Sequence, residues 1–394
     1  MISLDVRHAI ARAVAESGFG NGVTAGSGGT TDLDPGLRPG GRPGQYASSV
    51  AFGLVPQTGG TPWEIAHRLA GFLAGRHEWI AEAEATGPGY LTITVTPEAI
   101  AALPERIAVA GPDCVRSDAL AGREFPAPPA AAWQSAATWD EARERLATQL
   151  TARLAVASGA VIQAAGGAMA KSEVERSDTW EFEAGTTTIT EATGATGTAG
   201  READRDGRDR SAERTERGAR GARRETRGAE VAAGVAFAGT DAVLLSLARA
   251  MPRRHMTIDP ELVARHVSGN PAYAVRYAHA RAVSGVRWAA ALGTGEGGPQ
   301  RPPANQGEPA LLDALSWLPE RVANAARRGR PDEFVRFLED VARLTLAALT
   351  SPGSGRAPGS DRLALARAAQ AGLAASLELL RVSAPDRLLD LTGC

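Results

Sequence analysis

The sequence predicts an α+β N-terminal domain followed by an all-α helical bundle, joined by a partly disordered linker. Three observations carry this fold class. Residues 1–111 mix helical periodicity with one clear stretch of strand alternation. Residues from about 164 to 230 almost lack large apolar side chains, and every apolar segment after 238 repeats at spacings of three and four. At 394 residues the chain is long enough for two domains with cores of their own.

The elements follow in order. Residues 4–17 (LDVRHAIARAVAES) predict an amphipathic helix that stops near Gly18. A Gly/Pro-rich loop covers 20–44, and apolar content resumes in YASSVAFGL (46–54). TPWEIAHRLAGFLAG (61–75) carries the chemistry of a helix start, with Thr61 as N-cap and Pro62 at the first helical position. Its apolar residues at 63, 65, 66, 69, 72 and 73 supply the buried face. WIAEAEATGPGYLTITVTP (79–97) predicts two strands about a Gly-Pro-Gly turn, with alternation clearest at Leu91, Ile93 and Val95. Together these make a compact α+β domain over 1–111.

Residues 112–163 read as a connector built on one amphipathic helix, WDEARERLATQLTARLAVASG (139–159), whose first-turn acids suit the positive end of the helix dipole. Residues 164–234 read as a low-complexity disordered linker. Ten arginines and eight acids crowd 201–230, and a segment so poor in apolar surface cannot offset its ordering entropy. The helical domain, 235–394, is expected to hold five helices. They are TDAVLLSLARAM (240–251), AYAVRYAHARAVSGVRWAAAL (272–292), LLDALSWLPERVANAARR (311–328), PDEFVRFLEDVARLTLAALT (331–350) and DRLALARAAQAGLAASLELLRV (361–382), with Gly/Pro loops at 293–309 and 351–360.

Composition narrows the function classes. Apolar residues make up 43% of the chain and mean hydropathy is -0.17. No window approaches 18 unbroken apolar residues, and the first residues lack an apolar signal core, so a cytoplasmic protein without membrane contact is expected. The two cysteines, Cys114 and Cys394, suggest neither a disulfide framework nor a metal site. The six histidines show no ligand spacing, so no metal and no cofactor are expected. Forty-two arginines against the single Lys171 point first to coding bias. Charge is nevertheless uneven: net -8 over 1–200 and net +6 over 201–394, which directs a polyanionic partner to the C-terminal half.

The segment NPAYAVRYAHARA (270–282) concentrates this chemistry. On a helical wheel Val275, Ala278, Ala282, Val286 and Ala289 fall within about 80° of one another, a small-residue stripe suited to close helix packing. Tyr273, Arg276, Tyr277, Arg281, Ser284, Arg287 and Trp288 lie opposite. Guanidinium groups and rings on one face offer phosphate contacts and stacking platforms for unpaired bases. The same rings could equally pack on neighbouring helices while the arginines are solvated or ion-paired. Arg249, Arg253, Arg254, His255 and Arg265 add nearby basic groups.

The run from Gly239 to Arg287 resembles the anticodon-binding domain of arginyl-tRNA synthetases, which opens G-x-D-A-L-R and continues into an N-P-x-x-x-x-Q-Y-A-H-A-R helix. Asn270, Pro271, Tyr277, Ala278, His279, Ala280 and Arg281 match as they stand. Arg276 replaces the usual glutamine and Leu244 the usual arginine, and VSAPDRL (382–388) is similar to the closing I-x-A-P-E-R-M. At the other end GQYASSVAFGL (44–54) resembles the family's G-D-Y-A-S/T-N, and TGPGYLTI (86–93) its A-G-P-G-F-I-N turn. The resemblance covers about 100 residues at the start and about 155 at the end. It implies a tRNA partner, tRNA-Arg in the family, gripped at its elbow by the N-terminal domain and at its anticodon by the helical one. Taken with the face reading, the expected contact residues are Tyr46 at the elbow and Tyr273, Arg276, Tyr277, His279, Arg281, Arg287 and Trp288 at the anticodon, with Arg276 as the substitution expected to alter the target.

The family's nucleotide-binding middle domain is not matched. No H-x-G-H occurs, and AMAKS (168–172) is read as a chance echo of the K-M-S-K-S loop. No alternating βα units are expected to mount an adenylate site. The leading expectation is therefore a non-catalytic tRNA-binding protein, its two modules gripping separate parts of one tRNA across a flexible tether. Two alternatives stay open: an arginine–tRNA ligase whose active site is degenerate or supplied by a partner, and a scaffold whose helical domain binds protein.

Overall fold

A computed structural model describes residues 1–19, 34–163, 230–267, 269–291, 307–350 and 360–388. AMAKS and the expected linker up to residue 229 lie outside the described residues.

Helix α1 (Ile2–Glu16) buries Ile2, Val6, Ala9, Ile10, Ala13 and Val14 along one face. Strands β1 (Leu37–Pro39) and β2 (Gln45–Ser48) follow, then helices α2 (Val50–Thr58) and α3 (Pro62–Leu73) and the hairpin of β3 (Ile80–Thr86) and β4 (Tyr90–Val95). The four strands form one antiparallel sheet in the order β1-β2-β4-β3. Helix α3 starts at a reciprocal capping box: Thr61 Oγ1 accepts from the Glu64 N–H, and the Glu64 carboxylate accepts from the Thr61 N–H. Gly89 closes the hairpin turn at φ 130°, where a Cβ would stand 2.6 Å from the Pro62 carbonyl carbon. Only glycine lets the turn come so close to the start of α3. Strand β1 lies inside the expected 20–44 loop; it is too short to show alternation and owes its form to pairing with β2.

The connector holds more than its expected helix. After α4 (Pro97–Ala101), α5 (Leu103–Ala110) and a 3₁₀ turn (Gly111–Val115) come β5 (Glu124–Phe125), α6 (Trp139–Ala157) and β6 (Val161–Ile162). Strands β5 and β6 pair in parallel across α6, a minimal β-α-β unit where no βα alternation was expected. Two-residue strands leave no readable period.

The helical domain starts earlier than expected. Helix α7 (Glu230–Ala238) occupies the last residues assigned to the linker. Val231 is fully buried, and a Cβ on Gly234 would stand 2.6 Å from the Trp139 ring. This packing on α6, invisible in composition, orders the segment. There follow α8 (Thr240–Arg249), α9 (Pro260–Ala264), α10 (Pro271–Ala291), α11 (Gly307–Ser316), α12 (Leu318–Arg328), α13 (Pro331–Thr350) and α14 (Ser360–Leu379). The expected single helix over 311–328 breaks at Trp317 because Pro319 has no N–H to donate and its ring opposes the carbonyl four residues back. Helix α10 packs between α13 and α14, and α8 packs on α6, α10 and α13.

The two ends of the chain are not tethered modules. One continuous core joins them, with α1 against α12, α5 against α14 and α6 against α12. At its centre Arg7 donates to both carboxylate oxygens of Glu320, from Nη2 at 2.8 Å and from Nε. The two side chains are 7% and 1% exposed. Asp34 accepts from Arg7 at 3.3 Å and from Arg327, closing the network. Beside it the Tyr46 and Ser316 hydroxyls lie 2.9 Å apart, Ser3 Oγ donates to the Ser316 carbonyl, and the Gly44 N–H donates to Asp313 at 3.1 Å.

Removing one member of this pair strands the other charge in the core. Glu320→Ala is expected to lower unfolding free energy by about 3–5 kcal/mol in a urea titration, whereas Arg7→Met combined with Glu320→Leu recovers most of the loss.

Candidate nucleic-acid interface

Helix α10 carries seven of the eight expected contact residues, and its start is locally encoded. Asn270 Oδ1 accepts from the Ala272 N–H at 3.2 Å, while its Nδ2 donates to the Val263 and Arg265 carbonyls, each at 2.7 Å. That one side chain caps α10 and pins the connection from α9. Of the small-residue stripe, Val275, Ala278, Ala282 and Ala289 are buried and Val286 is half-buried, and α10 packs this side against α13 and α14.

The opposite face divides in two. After α14 the chain reverses at Arg381, which adopts φ 60°. Residues 383–386 then run along α10. Ser383 Oγ accepts from Arg276 Nη2 at 3.0 Å and donates to the Asp241 carboxylate, whose other oxygen accepts the Ser383 N–H at 3.3 Å. Arg276 also pairs directly with Asp241 at 3.3 Å. His279 Nδ1 donates to the Pro385 carbonyl at 3.0 Å, and Arg287 Nη2 donates to the Asp386 carbonyl. Arg276 is thereby engaged in joining α8, α10 and the C-terminal segment. His279, 3% exposed, is likewise a brace and presents no ring to solvent.

Beside the braced half runs a stripe one helical turn per step, Tyr277, Arg281, Ser284 and Trp288, of which Arg281 and Trp288 are exposed and Tyr277 and Ser284 half-buried. Trp288 is 67% exposed, and Arg281 is exposed with no hydrogen bond or ion pair among the described residues. Tyr273 sits beneath the stripe at 3% exposure. Its ring stacks on His266 (centroids 5.3 Å, 19°) and on Tyr277 (5.4 Å, 13°). It supports Tyr277 and does not itself offer a face. Arg287 is exposed at its edge while tied to Asp386.

Tyr46 does not join this surface. It is 1% exposed, lies 4.9 Å from the Trp317 ring and hydrogen-bonds Ser316, so it cannot stack on a base in this structure. The exposed rings of the N-terminal domain are instead Trp63, stacked on His67 at 5.0 Å, and Phe52, 5.1 Å from Tyr90. Sequence reasoning also missed Asp241 and Ser383 as partners of Arg276, although both lie within the quoted start and closing motifs. Among the described residues no three His, Cys, Asp or Glu side chains gather to hold a metal, and no single helix is long and apolar enough to cross a membrane.

Burial pushes the His279 imidazole below its ordinary value, partly opposed by the hydrogen bond to Pro385. Its neutral form therefore stabilises the fold. That contribution is fully present above the ordinary histidine value of about 6.5 and is lost as the pH falls below it, because the unfolded chain takes up a proton that the folded chain resists. Thermal unfolding between pH 7 and pH 5 is expected to show a smaller drop in Tm for His279→Gln than for the unmodified chain.

Comparison with known proteins places these elements. A model described as the arginyl tRNA synthetase N terminal domain matches residues 5–95, and one described as the DALR anticodon binding domain matches residues 275–388. An arginine–tRNA ligase of Paenarthrobacter aurescens is 38% identical over 165 residues, covering 39% of this chain and 30% of the relative. One of Bifidobacterium longum is 33% identical over 181 residues, covering 39% and 29%. The chain thus spans about 30% of the length of the curated relatives it matches. The arginyl-tRNA synthetase of Thermus thermophilus superimposes over 98% of this chain and 100% of its own with a TM-score of 0.56 at 16% identity, a likeness of fold. Residues 5–95 and 275–388 are therefore similar to two domains of the arginyl-tRNA synthetase family, its N-terminal domain and its DALR anticodon binding domain.

Proposed function

We propose that this chain binds tRNA, tRNA-Arg by family, through the open stripe of α10, and that it does so without catalysing aminoacylation itself. The observation that supports the reading is the pairing of an exposed indole, Trp288, with an exposed guanidinium, Arg281, that has no partner among the described residues, two helical turns apart on the helix that bears the N-P-A-Y-A-V-R-Y-A-H-A-R motif. An exposed indole offers both faces to an unpaired base, and such stacking contributes about 1–3 kcal/mol per base. The guanidinium two turns before it suits a phosphate or a base edge. The buried side of α10, the C-terminal brace and the core shared with the N-terminal domain hold these two groups on a rigid support, which lowers the ordering cost of binding. The absence of an H-x-G-H sequence supports the non-catalytic part of the proposal. A tRNA partner would fit the cytoplasmic location expected from the sequence.

A second reading, arginine–tRNA ligation with a catalytic site completed by another subunit, draws on the names of the relatives and on the parallel β5–α6–β6 unit. Arginine-dependent ATP–pyrophosphate exchange by the purified chain alone would decide for it.

Filter binding across a salt series tests the leading reading. The chain is expected to prefer tRNA over unrelated folded RNA, and Arg281→Ala with Trp288→Ala is expected to weaken tRNA binding about 10- to 100-fold while leaving Tm unchanged. Equal binding of all RNAs by the unmodified chain sinks the proposal.

A further inference from the structure

The turn Met251–Met256, between α8 and α9, carries exposed cationic groups on a built support. Two side chains of α6 supply that support. Arg143, its side chain 5% exposed, donates from Nη1 to the Met251 carbonyl at 3.3 Å and to the Arg254 carbonyl. Asp140 accepts from the Met256 N–H at 3.1 Å and from His255 Nδ1 at 2.7 Å, and lies 3.4 Å from Arg143 Nη2. Between these anchors Arg253 adopts φ 65°, a left-handed conformation that a non-glycine residue keeps only where its surroundings impose it. The turn is thus drawn onto α6 by its carbonyls and one N–H. The side chains of Arg253 and Arg254 stay exposed, and neither makes a hydrogen bond or ion pair among the described residues.

The surrounding acids leave these two cations largely unanswered. Asp140 is engaged by the turn, Asp259 accepts from the Glu261 and Leu262 N–H groups at the start of α9, and Glu339 on α13 accepts from Arg249. Glu144 and Glu261 remain outward. The one aromatic ring of the turn is the His255 imidazole, which Asp140 holds through Nδ1 at 2.7 Å. Two forked guanidinium groups present paired N–H donors that match the oxygens of a phosphate.

We propose that the 251–256 turn, braced by Arg143 and Asp140, is a second RNA contact that grips backbone phosphates through Arg253 and Arg254 without regard to sequence. The inference rests on the RNA-binding reading of α10 and adds to it a site, a residue pair and a contact type. It also gives the connector helix α6 a function, since α6 sets the shape of the turn.

The test uses the full chain and compares Arg253→Ala/Arg254→Ala with Arg281→Ala/Trp288→Ala, titrated with tRNA and with an unrelated folded RNA at several salt concentrations. The turn variant is expected to weaken both RNAs by the same factor and to reduce the slope of log K against log salt by about 2. The stripe variant is expected to lose the preference for tRNA. If the unmodified chain binds tRNA and the turn variant keeps its affinity and slope, the second contact is overturned and the α10 reading stands. If the unmodified chain shows no tRNA binding, both readings fall. A turn variant that binds tRNA normally but loses binding to poly-glutamate overturns the phosphate assignment and gives the turn to an acidic protein. Arg143→Met, checked by circular dichroism, provides the second arm. With the fold retained and the turn released, affinity is expected to fall toward that of the turn variant, and an unchanged affinity removes α6 from the proposal.

Discussion

The buried pair of Arg7 and Glu320 constrains the whole molecule. Taking both charges out of water is costly, and only the bidentate geometry, with Asp34 and Arg327 completing the network, offsets that cost. Such a pair tolerates little displacement, so it fixes α1 against α12. The neighbouring contacts depend on that alignment: the hydroxyls of Tyr46 and Ser316, the N–H of Gly44 on Asp313, and Tyr46 against the Trp317 ring. Burial pushes the Asp313 carboxyl up, and the Gly44 N–H holds it partly down, which marks how dry this seam is. The N-terminal sheet and the helical bundle therefore share one core. A ligand that touches both meets a fixed spacing and not an adjustable tether.

The proposed recognition surface of α10 follows from a similar competition between covering and exposing polar groups. Residues 383–386 take Arg276, His279 and Arg287 as partners, and each contact uses a backbone carbonyl or a short side chain of the C-terminal segment. What remains exposed on the neighbouring stripe of Tyr277, Arg281, Ser284 and Trp288 is chiefly Arg281 and Trp288. The covered half is not wasted surface. By holding the helix from three sides it keeps the exposed indole and guanidinium at a set separation, and rigid presentation is what makes a small contact set selective.

The connector has a comparable part. Helix α6 reaches the bundle through Trp139 under α7, through Arg143 and Asp140 under the 251–256 turn, and through Arg153, whose Nε and Nη2 donate to the Leu379 and Glu378 carbonyls at the end of α14. A cation at a helix C-terminus answers the carbonyls left without partners there. Burial, with Arg381 nearby, lowers this guanidinium to about 10, so it remains charged at neutral pH.

Local chemistry was legible in the sequence. Thr61 and Glu64 announce the start of α3, Gly87-Pro88-Gly89 the hairpin, and the alanine stripe of α10 its packed face, because each signal lies within one turn or one period. Motif order alone pointed to the two family domains. The sequence also placed Tyr273, Tyr277, Arg281 and Trp288 on one side of one helix. It could not say what would cover that side. The partner of Arg276 is Asp241, and that of Tyr46 is Ser316, 270 positions away. Helix α7 is ordered by Trp139, far upstream, although its composition continues that of the expected linker. Periodicity determines which residues share a face; whether the face meets solvent, a helix or the chain's own C-terminal segment is decided only when distant elements pack, because burial depends on neighbours that sequence spacing does not name.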